Sequence, residues 1–309
     1  MKNVVVAVLG TIEVQRIVER GADMEDLLEK VAVVTGAASG IGRGIAAALI
    51  EEGCHVVVAD IDGEAAQGVA ESLATGSTRA IGVGIDVTDR AAVEALADFA
   101  WDEFGHVEIC VNNAGVFPPI SRAILIEESD ARWVLEVNLM GAWFGMSAFG
   151  RRFVDQGAPA HILNTGSENS LGMAHTGAAF YTASKQALLG LSDVLRWELP
   201  EHIGVSILCP GMVKTNLPSS AAHRQQRFGG PGEAGPSSGL GLEPEDVGRQ
   251  AVAGIKRGDF YIVTHPPVRQ LVEERLTEQL AAFEAQAPRY EGDEAIDTRA
   301  IMPPRRARN

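Results

Sequence analysis

Cysteine is scarce in this chain: Cys54, Cys110 and Cys209 are the only three in 309 residues, and no two form a CxxC pair. That spacing excludes a disulfide framework and offers no zinc-ligand set. Reduced thiols in a cytoplasmic setting are the simplest expectation. Basic charge is also short, with 26 Lys and Arg against 41 Asp and Glu and a formal net charge of -15. A phosphate backbone requires a Lys/Arg surplus, so nucleic acid is excluded as a partner. The basic PPRRAR at 303–308 reads as a solvated tail. No apolar run nears the roughly 20 residues that cross a bilayer, so no membrane partner is expected. The opening MKNVVVAVLG is shorter than a signal-peptide apolar region and carries no A-x-A site. No internal repeat is visible.

What the chain does have is a 46% apolar content, sufficient to fill a large core. Short apolar runs recur: VAVVT (31–35), HVVVA (55–59), AIGVGI (80–85), VEICV (107–111), HILNT (161–165), GVSILC (204–209) and FYIVT (260–264). Between them lie longer amphipathic stretches such as DRAAVEALADFAWDEFG. Near-continuous apolar strands alternating with helices predict a parallel sheet covered on both faces, a doubly wound α/β domain of seven strands. The expected domain runs from 28 to 283. Residues 1–27 form an N-terminal extension, either an appended strand and helix or the product of an upstream start, expected to be peripheral or disordered. Residues 284–309 are a tail. The stretch 218–242 is rich in Gly, Ser and Pro and lies between the sixth and seventh strands. Its length without periodicity predicts a mobile functional loop or disorder. It reads as a substrate lid spanning about 211–242.

The stretch TGAASGIG (35–42) leaves the first strand and enters a helix. Such a turn presents unpaired backbone N–H groups and the positive end of a helix dipole to a pyrophosphate. Gly36 permits the turn, Gly40 lets backbone approach phosphate, and Gly42 allows the helix to pack closely. A glycine triplet alone also fits a ligand-free tight turn. The second strand, however, ends in Asp60, an acid placed to accept both adenosine ribose hydroxyls and to repel a 2′-phosphate. Ser39 and Ile41 supply no cation inside the turn, so NAD is favoured over NADP. Arg43 weighs the other way if it faces phosphate instead of solvent.

The TGxxxGxG spacing is followed by NNAG (112–115), Asn138 in VNLMG, Ser167 in NTGS, YTASK (181–185) and PGMVKT (210–215). Taken in this order, the chain resembles the classical short-chain dehydrogenases/reductases from about residue 28 to about 283. The stretch from LEPEDV through YIVTHPPVRQLVEERL looks like the subgroup of bacterial dehydrogenases acting on lignin-derived aryl ether alcohols. The resemblance implies cofactor contacts from Gly36, Ser39, Gly40, Ile41 and Gly42, with Asp86 and Val87 at the adenine. It also implies Asn113 and Gly115 along the cofactor, and Pro210, Val213 and Thr215 at the nicotinamide carboxamide. Asn112 is expected only to tie adjacent strands together.

Tyr181 and Lys185 are four residues apart, on one face of the expected helix. A free phenol ionises near pH ~10 and is a poor base at neutral pH. An adjacent ammonium, together with a positive nicotinamide, is expected to stabilise the phenolate and make Tyr181 a general base in oxidation or an acid in reduction. Ser167, after a strand, is placed to donate a hydrogen bond to the substrate oxygen, or simply to cap a helix. The resemblance implies that Asn138 completes a proton relay through water to Lys185, which also holds the nicotinamide ribose. A buried Asn joining two elements is the structural alternative. Tyr181 lies fourteen positions after Ser167, one more than the usual family spacing, which leaves the loop path open. His175 in that loop is either solvated or a substrate contact.

The expected substrate is a secondary alcohol or its ketone, hydrophobic or aromatic, walled by VFPPI (116–120), LGM (171–173), Met212 and Leu217. Arg224 and Arg227 are solvated or pair with an acidic substrate group. The expected helices around 132–150 and 178–199 carry more large apolar residues than one face buries, which predicts a homodimer or homotetramer. Two rival readings remain: a NADPH-dependent carbonyl reductase, and a dinucleotide-binding sensor without turnover.

Overall fold

The structure is a computed structural model and describes residues 24–172, 175–233, 235, 239–286 and 292. Residues 1–23, Met173 and the basic PPRRAR segment therefore lie outside the described residues.

Seven strands form the sheet: β1 (Val31–Thr35), β2 (His55–Asp60), β3 (Ala80–Gly84), β4 (Ile109–Asn112), β5 (Ala160–Thr165), β6 (Ile203–Cys209) and β7 (Tyr261–Val263). Every pairing is parallel, and the spatial order is β3-β2-β1-β4-β5-β6-β7. β1, β4, β5 and β6 are buried along their whole length. This is why their sequences run apolar without alternation: helices cover both faces.

Eight α-helices complete the described architecture: α1 (Gly40–Glu51), α2 (Gly63–Leu73), α3 (Arg90–Phe104), α4 (Glu128–Leu135), α5 (Ala142–Gln156), α6 (Ala179–Glu198), α7 (Pro244–Arg257) and α8 (Val268–Gln286). Their starts are legible chemically. Asp62 accepts from the Ala65 N–H at 3.0 Å, and Asp89 from that of Ala91 at 2.9 Å, each satisfying an orphan donor of the first turn. Ile45, Leu49, Val247 and Ile255 pack one face of the sheet with α1 and α7. Val93, Leu96, Phe149 and Phe153 pack the other with α3 and α5.

The packed domain begins earlier than the expected residue 28. Met24 and Leu27 are 2% and 1% exposed within the core. The Cys54 thiol donates to the Leu27 carbonyl at 3.2 Å. These two apolar side chains find a place beside α1, so residues 24–27 belong to the domain and not to the extension.

Strand order reverses between β1 and β4, and there the connections diverge to opposite sides and leave a crevice outside the carboxyl ends of the strands. The expected site residues cluster at that edge, following β1, β2, β3, β4, β5 and β6. The excursion between β6 and α7 begins and ends at a neck: the Lys214 N–H donates to the Leu242 carbonyl and the Leu242 N–H to that of Met212, both at 3.0 Å.

Candidate active site

The glycine turn is built as the sequence requires. Gly36 adopts φ +63°, which side-chain-bearing residues rarely take. A Cβ at Gly42 would stand 2.2 Å from the Gly36 carbonyl oxygen. At the helix start Ser39 makes no side-chain cap, so the first-turn N–H groups of Gly40, Ile41 and Gly42 keep their capacity for an anion. Thr215 packs over Gly40 from the β6–α7 excursion. Asp60 faces the turn: its Oδ2 accepts from the Ala38 N–H at 3.0 Å and its Oδ1 from that of Asp62 at 3.1 Å. A cavity of about 480 Å³ borders the turn, lined by Ser39, Gly40, Arg43, Lys214 and Thr215 among others. Donor turn, facing carboxylate and adjacent cavity fit a dinucleotide.

Asn112 donates to Asn164 Oδ1 across β4 and β5 at 2.9 Å, the strand-tying contact expected of it. The Asn113 side chain is committed to the scaffold as well. Its Nδ2 donates to the carbonyls of Thr35 and Gly36 at 3.0 and 3.2 Å, and its Oδ1 accepts from Thr165 Oγ1 at 3.2 Å. Gly115 lies beside two key groups: a Cβ there would be 3.5 Å from Asn138 Oδ1 and 3.6 Å from Lys185 Nζ.

Asn138 sits in a π-helical turn, Glu136–Gly141, between α4 and α5, the kind of local irregularity that recurs at functional sites. Its amide is 1% exposed. It accepts from the Val116 N–H at 2.8 Å and donates to the Val116 carbonyl at 3.0 Å and to Ser184 Oγ at 3.3 Å. The side chain thus ties the loop after β4 to α6.

Tyr181 and Lys185 share one face of α6, with the ammonium 5.7 Å from the centre of the phenol ring. Lys185 is 4% exposed and donates to the Thr165 carbonyl at 2.7 Å. Burial lowers it to about 8. The Tyr181 phenol moves opposite to the direction expected from its lysine neighbour. Burial pushes it up to about 12, the hydrogen-bonded Ser167 hydroxyl works to lower it, and the nearby Glu168 carboxylate adds to the rise. The reason is that desolvation disfavours both charged forms in one dry site. Within this chain alone the phenol holds its proton.

Of the two roles considered for Ser167, the cap is the one seen, and its hydroxyl also donates to Asn169 Oδ1 at 3.0 Å. Its hydroxyl accepts from the Asn169 N–H at 3.3 Å, capping the short turn Glu168–Leu171, and also meets the Tyr181 phenol. Ser170 fixes that turn to α6 by donating to the Lys185 carbonyl at 2.7 Å. The Phe117 ring lies 4.8 Å from that of Tyr181, tilted by 52°, and Leu171 and Met212 lie on neighbouring loops. Pro210 receives the Glu168 N–H at 2.9 Å, and Val213 bridges to Leu242 at the neck.

Glu168 is a residue that motif spacing does not reveal. Its half-buried carboxylate is held by His175 Nε2 at 3.1 Å, so the loop histidine has a protein partner. Its one sequence signal is adjacency to Ser167. Arg224 and Arg227 are likewise not simply solvated: Arg224 pairs with Asp130, each side chain 12% exposed, and Arg227 reaches Asp86.

Comparison with known proteins agrees with this geometry. A family profile described as short chain dehydrogenase matches residues 30–226. The C alpha-dehydrogenase of Sphingobium sp. is 33% identical, aligned over 81% of this chain and 85% of its own length. The 1-deoxy-11-beta-hydroxypentalenate dehydrogenase of Streptomyces exfoliatus is 38% identical over 62% of this chain and 70% of its own. Among solved structures, a short chain dehydrogenase/reductase from Burkholderia phymatum in complex with NAD superposes with a TM-score of 0.77. It is 31% identical, covering 86% of this chain and 98% of its own.

Proposed function

The chain belongs to the short chain dehydrogenase family and is an oxidoreductase acting on CH–OH groups; from that premise we propose that it transfers a hydride between a hydrophobic secondary alcohol and NAD. The observation that carries this reading is the convergence of Tyr181, Ser167 and Lys185 at the carboxyl ends of β4 and β5, with the ammonium 5.7 Å from the phenol ring. Oxidised nicotinamide, when bound, supplies a hydride acceptor and a positive charge.

Tyr181 takes the hydroxyl proton in oxidation and returns it to the carbonyl oxygen in reduction. Ser167 donates a hydrogen bond to that oxygen while charge develops on it. Lys185, brought by burial to about 8, holds a proton that can leave near neutral pH. Asn138 and Lys185 both flank Gly115, which supports a relay through water between them. The phenol at about 12 makes Tyr181 an acid until positive charge arrives beside it, so base strength is tied to the loaded state. Gly36, Ser39, Gly40, Ile41 and Gly42 hold the pyrophosphate, and Asp60 binds the ribose hydroxyls. Asp86 and Val87 hold adenine. Gly115 and the backbone of Asn113 follow the cofactor, and Pro210, Val213 and Thr215 hold the carboxamide.

Phe117, Leu171, Met212 and Leu217 make the substrate walls mainly apolar, supporting an aromatic alcohol, with the β6–α7 excursion as lid. Three buried free thiols suit a reducing cytoplasm. Exposed Trp143, Leu191 and Val194 on α5 and α6 support a homodimer or homotetramer. A second reading, NADPH-dependent carbonyl reduction, is favoured by Arg43 and Lys214 lining the cavity beside the turn. Titration with NADH and NADPH, followed by a screen of aryl, alicyclic and steroid alcohols, separates them. Tighter NADH binding with aryl alcohol turnover supports the first reading. Preference for NADPH removes the role given to Asp60, and activity confined to small polyols removes the substrate class.

A further inference from the structure

The excursion after β6 does more than stand over the reactive end. Its Thr215 packs on Gly40. Its Ser220 hydroxyl accepts from the Phe117 N–H at 3.0 Å. Farther on, Gln225 Nε2 donates to Asp86 Oδ1 at 3.0 Å, and Arg227 Nη2 approaches Asp86 Oδ2 at 3.3 Å and also contacts Thr88 Oγ1. Asp86 follows β3, five strand positions from β6, a span of about 24 Å at the usual interstrand spacing. The segment therefore crosses the whole length of the crevice. Its far end is pinned. Arg224 pairs with Asp130, donates to Ser129 Oγ at 3.0 Å and to the Phe228 carbonyl at 2.5 Å, and lies 5.4 Å from the Trp133 ring. Phe228 is buried in the cluster that contains Val87, Trp133 and Val137.

We propose that Gln225 and Arg227 form an adenine-end clasp, by which the lid over the substrate also holds the cofactor; this rests on the dinucleotide reading above. Asp86 Oδ1 is already engaged by the Thr88 N–H at 3.0 Å, the Thr88 hydroxyl at 2.5 Å and Gln225. Its Oδ2 meets only the long contact from Arg227, and so retains the capacity to accept an amino N–H from adenine. Gln225 is then a positioning residue that fixes the carboxylate. Arg227, half exposed at 51%, brings a planar guanidinium suited to an aromatic face. Dinucleotide release requires this end of the lid to lift.

The test measures dissociation constants for NADH and for reduced nicotinamide mononucleotide, which lacks adenine, by nicotinamide fluorescence in the wild type, Arg227→Ala and Gln225→Ala. Expected is a rise of about tenfold for NADH in each variant, with the mononucleotide unchanged. Unchanged NADH affinity overturns the clasp, as does tighter binding, which would make the contact a competitor of adenine. Equal weakening of both ligands also overturns it, since the lid would then act without regard to adenine. Wild-type protein binding neither NADH nor NADPH overturns the dinucleotide reading and the clasp together, so the two failures are distinguishable.

Discussion

At the level of single residues, the phenol of Tyr181 sets the pH behaviour. Its proton is retained below about 12 in the chain alone, and a reduced nicotinamide carries no charge to change that. Ketone reduction therefore has its acid protonated throughout, and its rate should stay level up to about pH 7 and decline only as pH rises through about 8, where Lys185 gives up the relay proton. Alcohol oxidation needs the ionised form, so its rate should climb with pH until the phenol in the loaded site has titrated. Initial rates in both directions across pH check this; oxidation that falls as pH rises contradicts it. The roles expected of Tyr181, Lys185 and Ser167 came from the order of the family motifs; that Tyr181 and Lys185 share a helix face was legible from their spacing, because a helix places fourth neighbours on one face. The direction of the phenol shift was not, because it depends on how much water the fold removes around both groups. Glu168 and His175 were invisible as a pair for the same reason: their contact is made by the turn after β5 and not by periodicity.

Elements carry the next set of consequences. The β6–α7 excursion, proposed as a lid, is anchored by Arg224 and Asp130, 94 positions apart and both largely buried. Removing one member of such a pair strands the other charge at a cost of about 3 kcal/mol. Asp130→Ala should therefore open the lid locally and speed its proteolytic nicking roughly a hundredfold, in proportion to the population of the open form. Unchanged nicking would show that the pair does not hold the lid. Composition announced a loop at 218–242, but no local pattern could announce its anchor, since that anchor lies on α4. In the sheet, His161 of β5 contacts Ser206 of β6 at 2.7 Å, and burial lowers it to about 3. Above pH 6.5 it is neutral folded or unfolded; between 6.5 and about 3 only the unfolded chain takes the proton. Stability is thus lost as pH falls through that window, by up to about 1.4 kcal/mol per pH unit. His161→Leu should flatten that part of the slope in urea unfolding, and an identical slope in both proteins would contradict the assignment.

For the whole molecule, the doubly wound sheet was legible because strands buried on both faces must be apolar throughout, and every expected run became a strand. The start of the packed domain was less legible. Met24 and Leu27 are two apolar side chains without periodicity, and only the space beside α1 shows where they go. Trp143 at 37%, Leu191 at 37% and Val194 at 54% exposure are the exposed apolar side chains of α5 and α6 proposed to join subunits. Light scattering should give the mass of a dimer or tetramer, reduced by Val194→Arg; a wild-type monomer would contradict that assembly. Fold, turn and lid all converge on one phenol. The most direct measurement is NADH formation from an active secondary alcohol by wild-type protein and Tyr181→Phe, with NADH affinity measured in parallel. A fall in turnover of at least about a thousandfold with affinity held within about twofold is predicted; turnover surviving in the variant would contradict the account.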